Sequence, residues 1–95
     1  MRPYELMLIF NPTLEEEAIG ALLDRFTSIV TNENGQIGNI DKWGKRRLAY
    51  EIKGFTEGFY VVIKFTADSR TANEVERIIK ITDEVIRYMI VRDEQ

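Results

Sequence analysis

Neither cysteine nor histidine occurs in the 95 residues of this chain. Without cysteine there is no disulfide framework and no thiolate metal site, and folding without disulfides suits a reducing compartment. Without histidine the commonest general base and the commonest metal ligand are missing, and so is every serine or cysteine triad built on imidazole. Long hydrophobic runs are missing as well: no stretch approaches the roughly 18 residues that would span a bilayer. The opening MRPYELMLIF lacks the charged n-region and small-residue cleavage site of a signal peptide. These absences predict a cytoplasmic chain with no membrane partner.

What is present is an ordinary globular composition, 44% hydrophobic and 31% charged, which rules out a disordered polyelectrolyte. The length suits a single domain, residues 1–95, with room for one core and not for two. The net charge of −3 would argue against a nucleic-acid partner if it were evenly spread, but it is not. Residues 42 to 53 carry Lys42, Lys45, Arg46, Arg47 and Lys53 against Glu51 alone, a local balance of +4, which leaves −7 on the remainder.

The hydrophobic periods give six elements. Tyr4, Leu6, Leu8 and Phe10 alternate with Glu5, Met7 and Ile9, a strand whose second face is apolar enough for the middle of a sheet. Asn11-Pro12 ends it. Thr13 and Glu16 have the spacing of a capping box, and Leu14, Ala18, Leu22, Phe26 and Ile29 or Val30 then recur at helical spacing until Asn34-Gly35. A long extended region over roughly 36–53 follows, with a turn expected at 54–58, GFTEG, before the β-rich FYVVIKF of 59–65. A second helix is predicted from Thr71, with Glu74 at capping-box spacing and Val75, Ile78 and Ile79 on its buried face. VIRYMIVR at 85–92 reads as the last strand.

The order βαββαβ predicts the α+β class and the ferredoxin-like split βαβ fold, a four-stranded antiparallel sheet with two helices on one face. Right-handed crossovers put the first and third strands at the centre and the second and fourth at the edges. The basic run therefore falls on an edge strand, and two readings follow. Lys42, Lys45, Arg46 and Arg47 could keep that edge from pairing with other chains, with Trp43, Leu48 and Tyr50 packed inward. Alternatively, several cations on one extended element could neutralise successive phosphates beside aromatics that stack on unpaired bases.

Other motifs fail on their spacing. Gly38 to Gly44-Lys45 has five intervening residues where a phosphate-binding loop has four, and Arg46 stands where a magnesium-holding hydroxyl belongs. EGFYVVIKF resembles an RNA-recognition-motif strand, yet Glu57, Tyr60, Val61 and Lys64 replace its basic, small and aromatic positions. No acid/base pair stands out, so no catalytic residue, metal or cofactor is expected. A small-molecule regulatory domain of this topology would pair through an edge strand, which a charged edge opposes. A phosphatase of this topology would need a phosphate-cradling loop after the first strand, where Asn11-Pro12-Thr13 leaves little room.

RPYELMLIF followed by Asn11-Pro12, the central WGKRRLAYEIKG, EGFYVVIKF and the closing ITDEVIRYMIVR together resemble the bacterial small-subunit ribosomal protein S-six family over nearly the whole chain. The resemblance implies a non-catalytic component of the small ribosomal subunit, in its platform region. It implies binding to small-subunit rRNA together with the partner protein S-eighteen, with no small-molecule substrate. It also favours the phosphate reading of the basic run. Arg2, Lys45, Arg46, Arg47 and Arg87 match positions typically basic in that family, and Tyr4 and Tyr50 match its aromatic ones. Arg46, Arg47 and Arg87 are the foremost expected RNA contacts, with Arg2, Lys42, Lys45 and Arg92 beside them. Leu48 and Ile52 point together and are expected in the core.

Overall fold

Alternation along β1 (Arg2–Phe10) decides which face of the sheet is buried deepest, because residues two apart on a strand share a face. The structure is a computed structural model describing residues 1–93. β1 is followed by α1 (Glu16–Asn32), β2 (Gln36–Ile52), β3 (Phe55–Ala67), α2 (Ser69–Lys80) and β4 (Val85–Arg92). The strands lie in the order β2-β3-β1-β4, and each neighbouring pair is antiparallel. This is the expected ferredoxin-like α+β arrangement, with β2 and β4 at the edges.

Tyr4, Leu6, Leu8 and Phe10 of β1 meet Val61, Ile63 and Phe65 of β3, Ile19, Leu23, Phe26 and Val30 of α1, and Ala72, Val75 and Ile79 of α2 in one cluster. Burying each large side chain contributes about 1.5 to 3 kcal/mol, so this face supplies most of the hydrophobic stabilisation. The buried stripe of α1 differs from the expected one. Ala18 is exposed and Leu22 only half-buried, because the Ile19-Leu23-Phe26-Val30 spacing brings larger side chains against the sheet.

Neither predicted capping box forms. The amide and hydroxyl of Thr13 both donate to Oδ1 of Asn11, at 2.9 and 2.7 Å, a local turn that competes with the helix for those donors. Helix α1 therefore starts later, at Glu16, after Glu15 in the N-cap position. At α2 the cap is Asp68, whose Oδ1 accepts from the Thr71 amide at 2.7 Å, while Thr71 is buried and Glu74 turns to Arg77. The Asp68 carboxyl is held below its usual range chiefly by that amide hydrogen bond.

The β2–β3 turn also lies earlier than predicted, at Lys53 and Gly54, whose φ values are 50° and 85°. Two successive left-handed residues give the primed turn that matches strand twist, so Phe55 already belongs to β3. Gly58, expected inside the turn, instead pairs with Arg46. A Cβ there would overlap Cγ2 of the Ile9 side chain, so the glycine makes room for Ile9.

Strand β2 is irregular at three places, between Ile37 and Asn39, Lys42 and Gly44, and Arg47 and Ile52. At the last, Arg47 pairs with Glu57 and Ile52 with Phe55, so residues 48–51 bulge out of the ladder. The bulge carries Leu48 onto the helix-free face. There Leu48 joins Ile9 and Ile86 in a second, smaller cluster with Ile52, Phe55 and Tyr60 against it. Leu48, 8% exposed, and Ile52 are thus inward as expected.

Candidate nucleic-acid interface

Along residues 42–47 the strand pleat, not the sequence order, decides which cation faces which way. Lys42 pairs with Val61, Lys45 with Phe59 and Arg47 with Glu57, positions whose side chains lie on the helix-covered side or its rim. Lys42 lines a hollow there with Glu16, Ile19 and Phe59. Arg46 pairs with Gly58 and points to the open face. Arg46 and Arg47, both expected RNA contacts, are therefore displayed on opposite sides of one hairpin.

Gly44, Tyr60, Ile9 and Arg87 form a row across the four strands. Trp43 is the residue left over where the register slips between Lys42 and Gly44, and Gly44 absorbs the irregularity with φ of +85°. The released indole lies against Tyr60 with ring centroids 6.2 Å apart and planes 8° from parallel. Its Nε1 donates to Oδ2 of Asp41 at 2.9 Å, and the Arg46 guanidinium stands 5.8 Å from its centroid. Trp43 is nonetheless 43% exposed.

At the other end of that row the Arg87 guanidinium lies 5.9 Å from the Tyr50 ring and donates through Nη1 to the Tyr50 hydroxyl. This contact joins the bulged part of β2 to β4, strands that do not neighbour each other in the sheet. Between them lies an open groove of about 330 Å³ lined by Met7, Ile9, Leu48, Tyr60 and Met89. Tyr50 is 61% and Met89 54% exposed, so the groove is an apolar surface with cations at its margin.

Among the described residues, no carboxylate lies within ion-pair distance of Lys42, Lys45, Arg46 or Arg47. Lys64, farther along the open face, is matched by Glu5 at 3.8 Å and Asp93 at 3.9 Å. The hairpin thus holds four closely spaced cations with no carboxylate within ion-pair distance among the described residues. No group of three or more potential ligand side chains capable of holding a metal occurs among the described residues. Nor does any helix there have the length and apolarity to cross a membrane.

The structure brings Arg46, Tyr50 and Arg87 together on the open face and sets Lys42, Lys45 and Arg47 on the reverse of the same hairpin. Arg2 and Arg92 stand at the opposite end of the sheet, where Arg2 pairs with Ala67 and Arg92 with Tyr4. Tyr4 is a correction. It belongs to the main core, 8% exposed and stacked on Phe65 at 5.4 Å, because it shares the helix-covered face with Leu6 and Leu8. Trp43, Tyr60 and Met89 were not among the expected contacts; Trp43-Gly44 next to the cations was the available signal for the first.

Comparisons with known proteins identify the family of the chain. A family model described as Ribosomal protein S6 matches residues 3–92. The small ribosomal subunit protein bS6 of Moorella thermoacetica is 44% identical over 95 residues, covering 100% of this chain and 97% of that protein. That of Desulfitobacterium hafniense is 47% identical over 94 residues, covering 99% of each. The crystal structure of 30S ribosomal protein S6 from Thermotoga maritima superposes with a TM-score of 0.89 at 38% identity, covering 96% of this chain and 86% of that one. With a match that spans nearly all of the described fold, the chain belongs to the ribosomal protein S6 family, a family of structural and non-enzymatic components of the small ribosomal subunit.

Proposed function

We propose that this chain binds small-subunit rRNA together with the small-subunit protein S-eighteen, and that Arg46, Arg47 and Arg87 provide its principal phosphate contacts. Lys42 and Lys45 reinforce them, while Arg2 and Arg92 act at a separate end. The observation that carries this reading is the hairpin whose four cations have no carboxylate within ion-pair distance among the described residues. Four cations on two sides of one hairpin suit a backbone that passes around its rim better than one that crosses a flat face.

The need for a partner follows from charge. The hairpin segment holds +4 and the remainder of the chain −7, so most of the surface repels phosphate. An independent binder making about six to ten phosphate contacts shows strong salt dependence, and this segment can supply about half that number. A partner seated on the apolar groove beside the cations would bury Met89 and add its own charges, and the two attachments would then act as one. The test is titration of a small-subunit rRNA fragment at physiological salt with this chain, with the partner, and with both. Affinity is expected to rise sharply only for the mixture. Equal affinity for the chain alone and the mixture would overturn the partner requirement, and no binding in either would overturn the RNA reading.

A further inference from the structure

The indole of Trp43 is held in place by contacts outside the helix-covered main core. Tyr60 lies against its ring, Asp41 accepts its Nε1 hydrogen, and both neighbours belong to the open face. An aromatic side chain that is 43% exposed and yet oriented by two partners is pre-organised for a further contact. Arg46 also stands at the ring, and its attachment is loose. Its Nε reaches the Trp43 carbonyl oxygen at 3.5 Å, the outer limit of a hydrogen bond, and its guanidinium is 5.8 Å from the ring centroid. Lys42, Lys45 and Arg47 flank the pair in the chain but face the reverse side of the hairpin.

We infer that Trp43 is a stacking site for one unpaired RNA base, with Arg46 swinging from the indole to the phosphate of the same nucleotide. The inference rests on the RNA reading above and adds a base contact to what is otherwise a backbone footprint. Tyr60, Trp43 and the base would form a column of three rings on the open face, continuing the near-parallel stack already present. Every base has a π-face, so the site selects unpaired nucleotides over duplex without selecting a sequence. The Arg46 guanidinium beside the ring favours this occupant over an aromatic side chain of a partner protein, which would bring no phosphate to neutralise it.

Trp43 is the single tryptophan of the chain, so its fluorescence reports this site alone. The probes are a single-stranded RNA of about ten nucleotides, within the usual footprint of such sites, a duplex of equal length, and inorganic polyphosphate as a base-free polyanion. Measured on the full chain at low salt, the single strand is expected to quench Trp43 well beyond the other two. Trp43→Ala should weaken single-strand binding about 5- to 100-fold while leaving its salt slope unchanged, and Trp43→Phe should recover part of the loss. Arg46→Gln should instead lower the slope by about 0.7, the value for one phosphate on a single strand.

Single-strand binding with no quenching, or equal quenching by polyphosphate, would overturn the base site and leave the phosphate contacts standing. A Trp43 response to the partner protein without RNA would also overturn it, assigning the ring to a protein contact. Failure of every RNA to bind, with or without the partner, would overturn the RNA reading itself.

Discussion

The two faces of the sheet are built on the same strands and end up with different tasks. The helix-covered face is closed by α1 and α2, and its side chains from Tyr4 to Val85 form a single cluster. The other face has no helix over it. Among the described residues it is covered in part by the bulged segment of β2, which seats Leu48 beside Ile9 and Ile86. Stability is concentrated where a second layer exists, and the proposed base and partner contacts fall on the face where it does not. The small cluster links the two tasks, because the segment that buries Leu48 also carries Tyr50 to Arg87 and follows directly on Arg46 and Arg47.

Five substitutions would break or sharpen this contrast. Leu8→Ala, at the fully buried centre of the helix-covered face, should cost about 3 to 5 kcal/mol in denaturant unfolding. A loss of 1 kcal/mol or less, on the order of a surface change, would mean that the main core is not where the structure puts it. Leu48→Ala removes the anchor of the open-face cluster and should cost about 2 to 3 kcal/mol, toward the lower end for such changes because the site is smaller and near solvent. It should also weaken RNA binding through loss of the Tyr50 and Arg87 arrangement.

Gly58→Ala adds a methyl where Ile9 already sits, and overpacking of this kind should cost about 1 to 3 kcal/mol. Combining it with Ile9→Val should relieve part of the cost; additive losses would show that the two side chains do not meet. Arg46→Ala and Arg47→Ala should each leave stability within about 0.5 kcal/mol. Each should lower the salt slope for rRNA binding by about 0.7 to 0.9. Because the two point to opposite sides of β2, their effects on affinity should add. A strongly non-additive double variant would place both on one phosphate and contradict the split.

Much of the fold was legible in the sequence because it rests on periods that a chain reveals locally. The two-residue alternation of β1, the helical spacing in α1 and α2, and the order of the elements were enough to give βαββαβ and the identity of the edges. Local competition was harder to read. Thr13 looked like a cap but is drawn to Asn11, and Asp68, one turn before Thr71, proved the better acceptor. The candidate site was legible as a basic run and illegible as a shape. Alternation along β2 is interrupted by bulges, and a single extra residue reverses every face that follows.

Composition and pattern by themselves determined the class of the protein, the topology of its sheet, the exclusion of cysteine and histidine chemistry, and the segment where positive charge gathers. Only the tertiary structure decided that Arg46 and Arg47 part to opposite sides, that Tyr4 is core, and that Trp43 is turned out onto Tyr60. The physical reason is that a side chain's direction on β2 depends on its hydrogen-bond register with β3. That register is set by Gly44, by the Lys53-Gly54 turn and by the room Gly58 leaves for Ile9, contacts between residues far apart in the chain.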